Sequence, residues 1–319
     1  YLWFNNIKKK MRILLLGCTG FIGKTLIPKL IYDGHELCVV SRKNINKLKT
    51  NSSFEKIAFL KLNLAQEKNW NDMSLINQLK NCEGIINLSG EPITDKRWTD
   101  EQKLEIENSR INTTAYLMKN LKKNKISPKV IINASAIGFY GTSLDKVFDE
   151  TSLGGEDFLA NLCKKWEEAA YQKPFFTRLV ILRIGIVLGV NGGALGKMLP
   201  IFKVGLGGPI GDGNQWMSWI HIEDLCNIII NGVKDKKYSG IINAVSPQPV
   251  KMKEFSSTLA KCLQRPNLLP VPGATLKLIL GDGAKLLLEG QNIKSIKLNN
   301  FFKFKYPLLQ EAISSLTKK

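Results

Sequence analysis

Gly17, Gly20 and Gly23 are the residues whose spacing points most directly to chemistry. They lie in Leu14-Leu15-Leu16-Gly17-Cys18-Thr19-Gly20-Phe21-Ile22-Gly23-Lys24-Thr25-Leu26. An apolar run, Ile13 to Leu16, ends at the first glycine, and an amphipathic stretch (Phe21, Ile22, Leu26, Ile27, Leu30, Ile31) follows at once. That pattern predicts strand, tight turn, helix. Gly17 permits the turn, Gly20 lets backbone approach a pyrophosphate, and Gly23 lets the helix pack on the strand. Free N–H groups and a positive dipole end at the helix start suit the phosphates. Thr19, Phe21 and Ile22 occupy the same turn and are expected to line it.

The elements that must position this turn alternate along the chain. Residues 37–41 form a second strand, ending Ser41-Arg42-Lys43. A carboxylate there would accept from ribose hydroxyls, but two cations stand in its place. A guanidinium pairs with a 2′-phosphate and stacks on adenine, so Ser41 and Arg42 predict NADP(H) rather than NAD(H). Residues 57–62 form a third strand, and Asn63-Leu64 is placed to contact adenine. A helix from Trp70 to Leu79 leads to a fourth strand, Gly84 to Gly90, whose Leu88, Ser89 and Gly90 pass beside the pyrophosphate and nicotinamide ribose. A long helix, Asp100 to Leu121, precedes a fifth strand, Val130 to Ala136. Gly154 to Tyr171 reads as a helix, Arg178 to Leu188 as strand six, Asp224 to Val233 as a helix, and Gly240 to Ala244 as a returning strand. The alternation predicts an α/β fold, a doubly wound parallel (Rossmann) sheet binding ligand at the carboxyl ends of its strands. A smaller, mainly helical C-terminal substrate lobe follows. The expected division is an extension over 1–10, a dinucleotide-binding domain over 11–189 plus 222–246, and a lobe over 190–221 plus 247–319.

Bulk composition narrows the function classes. The 319 residues are 44% hydrophobic, ordinary for a globular chain large enough for one or two domains. Six scattered cysteines without a C-x-x-C pair, and only two histidines, argue against a zinc or disulfide framework and for a reducing compartment. No metal site is expected. No run reaches the roughly 18 apolar residues that span a bilayer. The net charge of +19 is spread along the chain, densest at Lys8–Lys10 and Lys122-Lys123-Asn124-Lys125. Without a basic helix carrying interleaved aromatics, it reads as a lysine-rich solvated surface, and nucleic acid is not an expected partner. Residues 1–10 lack an apolar core of signal-peptide length, and Met11 looks like the natural start.

The chain resembles the extended short-chain dehydrogenase/reductases, and more closely their atypical branch of "epimerase family proteins" with a C-terminal domain of unknown function. The matching stretches include Gly17–Gly23, Asn87 to Ile93, Arg97-Trp98-Thr99, Ser109-Arg110, Ser135 to Gly141 and Arg183 to Gly189. Gly192 to Leu195, Met198 to Pro200, Gly205 to Gly208, Gln215 to Asp224, Asn243 to Pro247, Leu269 to Pro272, Gly290-Gln291 and Phe302 to Pro307 continue them. The resemblance implies cofactor contacts from Arg110, Ser135 and Arg183, and substrate contacts from Glu91, Trp216 and Trp219. It implies a cytoplasmic protein, or a stromal one in a plant or alga, a monomer or homodimer. Some members carry a cell-division inhibitor name. It supplies no substrate.

The chain departs from the superfamily at its chemistry. The usual enzymes use Tyr-x-x-x-Lys on the helix after strand five, where lysine lowers the tyrosine pKa for proton exchange. None of the seven tyrosines here has Lys four residues on; Leu159 and Cys163 stand in their place. Three residues could substitute: Ser135, at the position of the substrate-orienting hydroxyl; Tyr140, just past strand five; and His221, with a near-neutral reference pKa. Trp216 and Trp219 either floor a pocket or anchor the lobe. Two functions remain in view: an NADP(H)-dependent oxidoreductase or epimerase on a small carbonyl or sugar-like substrate, and a non-catalytic NADP(H)-binding sensor or regulator.

Overall fold

A computed structural model of the protein describes residues 10–42 and 57–318. Lys43 and nearly all of the expected N-terminal extension lie outside these residues. The strands in chain order are β1 (Arg12–Leu16), β2 (Glu36–Ser41), β3 (Ala58–Lys61), β4 (Gly84–Asn87), β5 (Val130–Ala136), β6 (Val147–Phe148), β7 (Arg178–Ile184), β8 (Ile186–Leu188), β9 (Trp216–Met217), β10 (Trp219–His221), β11 (Gly240–Ala244), β12 (Val250–Lys251) and β13 (Asn292–Ile293). The helices are α1 (Phe21–Tyr32), α2 (Met73–Asn81), α3 (Asp100–Lys123), α4 (Phe158–Tyr171), α5 (Gly193–Lys203), α6 (Ile222–Lys234), α7 (Met252–Leu263), α8 (Gly273–Leu280), α9 (Lys285–Leu288), α10 (Ile296–Phe301) and α11 (Leu309–Thr317).

Seven strands form one parallel sheet in the order β11-β7-β5-β4-β1-β2-β3. Alternation along each strand divides its side chains between two cores. Ile13, Leu15, Val39, Ile132 and Val180 face α1 and α6 (Leu26, Ile27, Leu30, Leu225, Ile229). Leu14, Leu16, Val40, Ile131 and Ile181 face α2 and α3 (Leu75, Leu79, Leu117, Leu121). These strands are buried on both faces, which is why they read as continuous apolar runs. Strand order reverses between β1 and β4, so the connections leaving their carboxyl ends run to opposite sides of the sheet and leave a crevice there.

A third core lies beyond the sheet. Leu195, Leu199 and Phe202 of α5, Trp219, Phe255 and Leu259 of α7, and Ala312 and Ile313 of α11 pack together. The path into it differs from expectation: the predicted strand six breaks at Gly185. There β7 ends, and β8 leaves the main sheet to pair with β10. A side chain at Gly185 would lie 2.6 Å from the Ser218 carbonyl oxygen, so glycine is required where the two segments cross. Helix α4 also starts later than predicted, because Asp157 caps it by accepting from the Ala160 N–H at 2.8 Å. No helix among the described residues is long and apolar enough to cross a membrane.

Gly23 sits on the inner face of α1, where an added Cβ would fall 1.8 Å from the Cys18 carbonyl oxygen. Backbone must move to admit even a methyl group. Gly23→Ala is therefore expected to lower the unfolding free energy by roughly 2 kcal/mol or more, read as a lowered denaturant midpoint with unchanged slope.

Candidate functional site

The crevice is built from the turn after β1 and the loop after β4. Gly17 has φ +72, and a Cβ there would lie 2.5 Å from Ser89 Cα, so the two segments touch backbone to backbone. The Leu88 N–H donates to the Leu16 carbonyl at 2.9 Å and fixes that approach. Helix α1 starts at Gly20 with no side-chain cap and no acidic residue in its first turn, so its N–H groups and dipole are open to an anion. Thr19 shares a 3.0 Å hydrogen bond with Ser41, tying the glycine turn to the end of β2. Phe21 closes the turn: Cβ atoms added at Gly189, Gly192 and Gly193 would meet its ring at 2.6, 2.8 and 3.2 Å, so those glycines make room for it. Ile22 packs against the core below.

Arg42 follows β2 at the crevice rim. Its guanidinium donates to Glu91 at 2.8 Å and Glu105 at 3.1 Å, and the bond to Glu91 holds its pKa above the usual arginine value. The group predicted to read a 2′-phosphate thus lies beside the loop predicted to meet substrate. Arg110 lies beneath that loop. It donates to the Glu91 carbonyl at 3.0 Å and the Ile106 carbonyl at 3.1 Å, and its guanidinium would be 2.9 Å from a Cβ at Gly90. Burial pulls its pKa down to about 10. Arg110 therefore shapes the loop carrying Ser89 and Gly90. The Leu64 side chain is buried against the core of the sheet, and its carbonyl accepts from the Trp70 indole at 2.8 Å.

Ser135, at the carboxyl end of β5, donates to Glu167 at 2.6 Å. Glu167, on α4, is gripped by Arg183 of β7 through two bonds, at 2.8 and 2.7 Å. All three side chains are buried. Arg183 also donates to the Tyr140 hydroxyl at 2.9 Å and lies 3.3 Å over the Phe139 ring. Tyr140 in turn donates to Asn243 at 2.7 Å. Burial disfavours the Arg183 charge, but the bonds to Glu167 outweigh it and keep the guanidinium protonated.

This network corrects two expectations. Arg183 is spent on Glu167 and Tyr140, below the crevice, and is not available to a dinucleotide. Tyr140 is packed between Phe139 and Phe148, and burial, partly offset by Arg183, pushes its phenol up to about 12. It has neither the access nor the acidity of a proton donor near neutral pH. Cys163 lies against Ser135 and Ala136, and burial pushes its thiol up to about 12 as well.

His221 is likewise structural. Its Nδ1 accepts from the Glu223 N–H at 3.1 Å, capping α6, and its Nε2 lies 3.2 Å from the Ser315 hydroxyl. That hydroxyl donates to the Ala312 carbonyl at 2.8 Å, so the imidazole is a neutral Nε2–H donor. The helix begins at Ile222, two residues earlier than predicted, because His221 supplies the cap. Trp219 is fully buried in the third core, with its indole N–H given to the Gln248 carbonyl at 2.7 Å, and so anchors the lobe instead of flooring a pocket. Trp216 is partly exposed; it donates to the Leu144 carbonyl at 2.7 Å and carries Lys251 3.9 Å over its ring.

The residues missed from sequence are Glu167, Asn243 and the buried amides Asn87 and Asn133. Asn87 donates to Asn133 at 2.8 Å and to Thr114 at 3.0 Å, joining β4, β5 and α3 beneath the crevice. A signal existed for Glu167: it is a carboxylate four residues after Cys163 on the apolar face of a predicted helix.

A doubly wound sheet with a glycine turn at its switch point defines a dinucleotide-binding protein of the extended short-chain dehydrogenase/reductase type. The signature of the NAD dependent epimerase/dehydratase family matches residues 13–243, and a domain of unknown function, DUF1731, matches residues 271–316. The chain belongs to that family. It is 38% identical over 312 residues to the chloroplastic SDR39U1 homolog of Arabidopsis thaliana, covering 97% of this chain and 87% of the relative. It is 36% identical to Homo sapiens epimerase family protein SDR39U1, covering 96% and 99%. A crystal structure of the human protein (isoform 2) with NADPH superimposes with a TM-score of 0.84 at 35% identity, covering 96% of this chain and 99% of that one.

His221 has its pKa lowered to about 4, first by burial and then by Lys305 and Lys29. The folded state resists a proton that the unfolded chain takes up near 6.5, so stability is present above that value and is lost as pH falls towards 4. The loss expected from this group is about 3 kcal/mol. His221→Asn, which keeps a capping group, should flatten that part of the stability–pH curve measured by chemical denaturation.

Proposed function

We propose that the protein is an NADP(H)-dependent oxidoreductase or epimerase-like enzyme acting on a small carbonyl or sugar-like substrate. The observation that carries this reading is the backbone contact of Gly17 with Ser89 beside an uncapped helix start, with Arg42 at the end of β2 in place of a carboxylate. Gly17, Thr19 and Gly20 would receive the pyrophosphate, Ser41 and Arg42 the 2′-phosphate, and Leu88 to Gly90 the nicotinamide ribose. The NADPH held by the 35% identical human structure supports the same choice. Bound there, the nicotinamide would supply a hydride donor or acceptor. The substrate would lie between the carboxyl edge of the sheet and the lobe of residues 190–221 and 247–319, with Glu91 and Trp216 as its contacts.

Of the three predicted catalytic residues, Ser135 is the one on a strand of the main sheet, one residue before the carboxyl end of β5. It gives its proton to Glu167, so what it offers a ligand is a lone pair. It therefore orients a substrate hydroxyl by accepting from it. One observation favours a second reading, a non-catalytic NADP(H)-binding regulator: Tyr140 and His221 are both committed inside the protein, and Leu159 and Cys163 replace the usual proton-exchanging pair.

Two measurements separate these outcomes. Arg42→Ala should weaken NADPH binding by roughly tenfold or more, the loss of a charge-assisted phosphate contact, while NADH binding barely changes; equal losses would refute the 2′-phosphate assignment. Purified protein mixed with NADPH and a panel of carbonyl compounds, followed by nicotinamide absorbance, should show turnover on at least one. Tight binding with none would favour the regulator.

A further inference from the structure

We propose that the amino-terminal edge of the sheet, opposite the crevice, is a docking surface for an anionic lipid bilayer, with Phe175 and Phe176 as its inserting tip. The two rings stand on the loop between α4 and β7, 87% and 85% exposed, edge to face at 5.2 Å. No described residue covers them, and Pro174 stiffens the turn that presents them.

Two carbonyls of the loop are satisfied within it. The Pro174 carbonyl accepts from the Thr177 N–H at 3.1 Å and from Lys173 Nζ at 3.2 Å, and the Phe175 carbonyl accepts from the same ammonium at 3.1 Å. These two carbonyls and the Thr177 N–H already have partners, which lowers part of the penalty for placing such a tip among lipid headgroups.

Cations surround the tip. Strand β7 pairs with β5 and β11, so the loops leading into these three strands are neighbours. Direct bonds join them: Lys122 reaches Gln172 at 3.4 Å, the Arg178 N–H donates to the Lys129 carbonyl at 3.2 Å, and the Arg178 guanidinium donates to the Tyr238 carbonyl at 2.5 Å. Lys122 and Lys123 at the end of α3, with Lys125, Lys173, Lys236 and Lys237 on these loops, have no carboxylate partner among the described residues. Of the acidic groups nearby, Glu83 and Asp33 pair with Lys129 and Lys234, and Asp235 accepts from the Lys237 backbone N–H at 2.9 Å, leaving the lysines in excess.

The chemistry favours a bilayer over other polyanions. Flexible lysines around a protruding aromatic pair match a diffuse negative surface with an apolar layer beneath it. Nucleic acid would call for arginine forks or aromatics lining a groove, and here the rings project from a tip. Docking by this edge leaves the crevice, at the other ends of the same strands, free to solvent. The inference stands independently of the proposed activity.

The test is sedimentation of the full chain with vesicles of phosphatidylcholine alone, or with roughly one-third phosphatidylglycerol, across a salt series. Binding to the anionic vesicles that weakens as salt rises, and little binding to the neutral ones, is expected. The double variant Phe175→Ser/Phe176→Ser should lose about tenfold in vesicle affinity. The triple variant Lys122→Glu/Lys123→Glu/Lys125→Glu should lose the salt-sensitive part. Both alter exposed side chains, and unchanged thermal melting would show that they fold. Failure of the wild-type chain to bind anionic vesicles overturns the proposal, including a result in which it retains RNA or an acidic protein instead. So does a double variant that binds as tightly as the wild type.

Discussion

The ion pair between Glu167 and Arg183 is the constraint on which the interior of this protein turns. Two charges of opposite sign sit where water does not reach, one on α4 and one on β7. Burying such groups is expensive unless every donor and acceptor is used. Here they are used almost fully: two bonds join the pair, Ser135 donates to the carboxylate, and Tyr140 accepts from the guanidinium while Phe139 lies flat against it. Removing either partner would strand the other charge, a change worth roughly 3–5 kcal/mol in comparable settings. The network runs onward to the C-terminal segment. Asn243 accepts from Tyr140, its own N–H donates to Glu150 at 3.0 Å, and Glu150 accepts from Ser295 at 2.6 Å at the start of α10.

That arrangement sets the chemical character of the crevice. A proton-exchanging residue needs a pKa near the working pH and an open path to the ligand. Burial moves Tyr140 and Cys163 up and His221 down, all away from neutrality, and each hydrogen-bonding atom of the tyrosine and the imidazole is engaged. Ser135 keeps its place at the strand end, but with its proton directed inward. The site is therefore equipped to hold and orient polar groups, with its fixed charges in Arg42, Arg110 and Glu91.

The fold was legible because its determinants are local and periodic. Apolar runs of strand length, a glycine turn and an amphipathic helix specify β1, α1 and their neighbours without tertiary information, and the cation after β2 could be read directly. What escaped the sequence depends on which polar residues meet across elements. Glu167 is 16 positions from Arg183, and Tyr140 is 103 from Asn243. No spacing rule on one helix or strand brings such pairs together. The same cause misplaced Trp219 and His221. A tryptophan and a histidine in a glycine-rich stretch look like pocket residues until α7 and α11 close over them. The break at Gly185 was hidden because apolar residues on both sides of it continue the strand pattern.

The +19 charge, which looked uniform in sequence, is not uniform in space. Near the carboxyl edge several cations are matched: Arg42 by Glu91 and Glu105, Lys103 by Asp282, Lys197 by Asp95, Arg183 by Glu167. Along the amino-terminal edge the lysines ending α3 and flanking β7 and β11 have no such partners. Matched charges set geometry at short range and cancel at distance, whereas unmatched ones leave a field extending about 10 Å at moderate salt. The two edges of one sheet therefore differ in kind. The carboxyl edge is shaped by directed, compensated polar contacts, and the amino edge by an open positive field around an exposed aromatic pair. A parallel sheet makes that separation possible, since every strand begins on one edge and ends on the other.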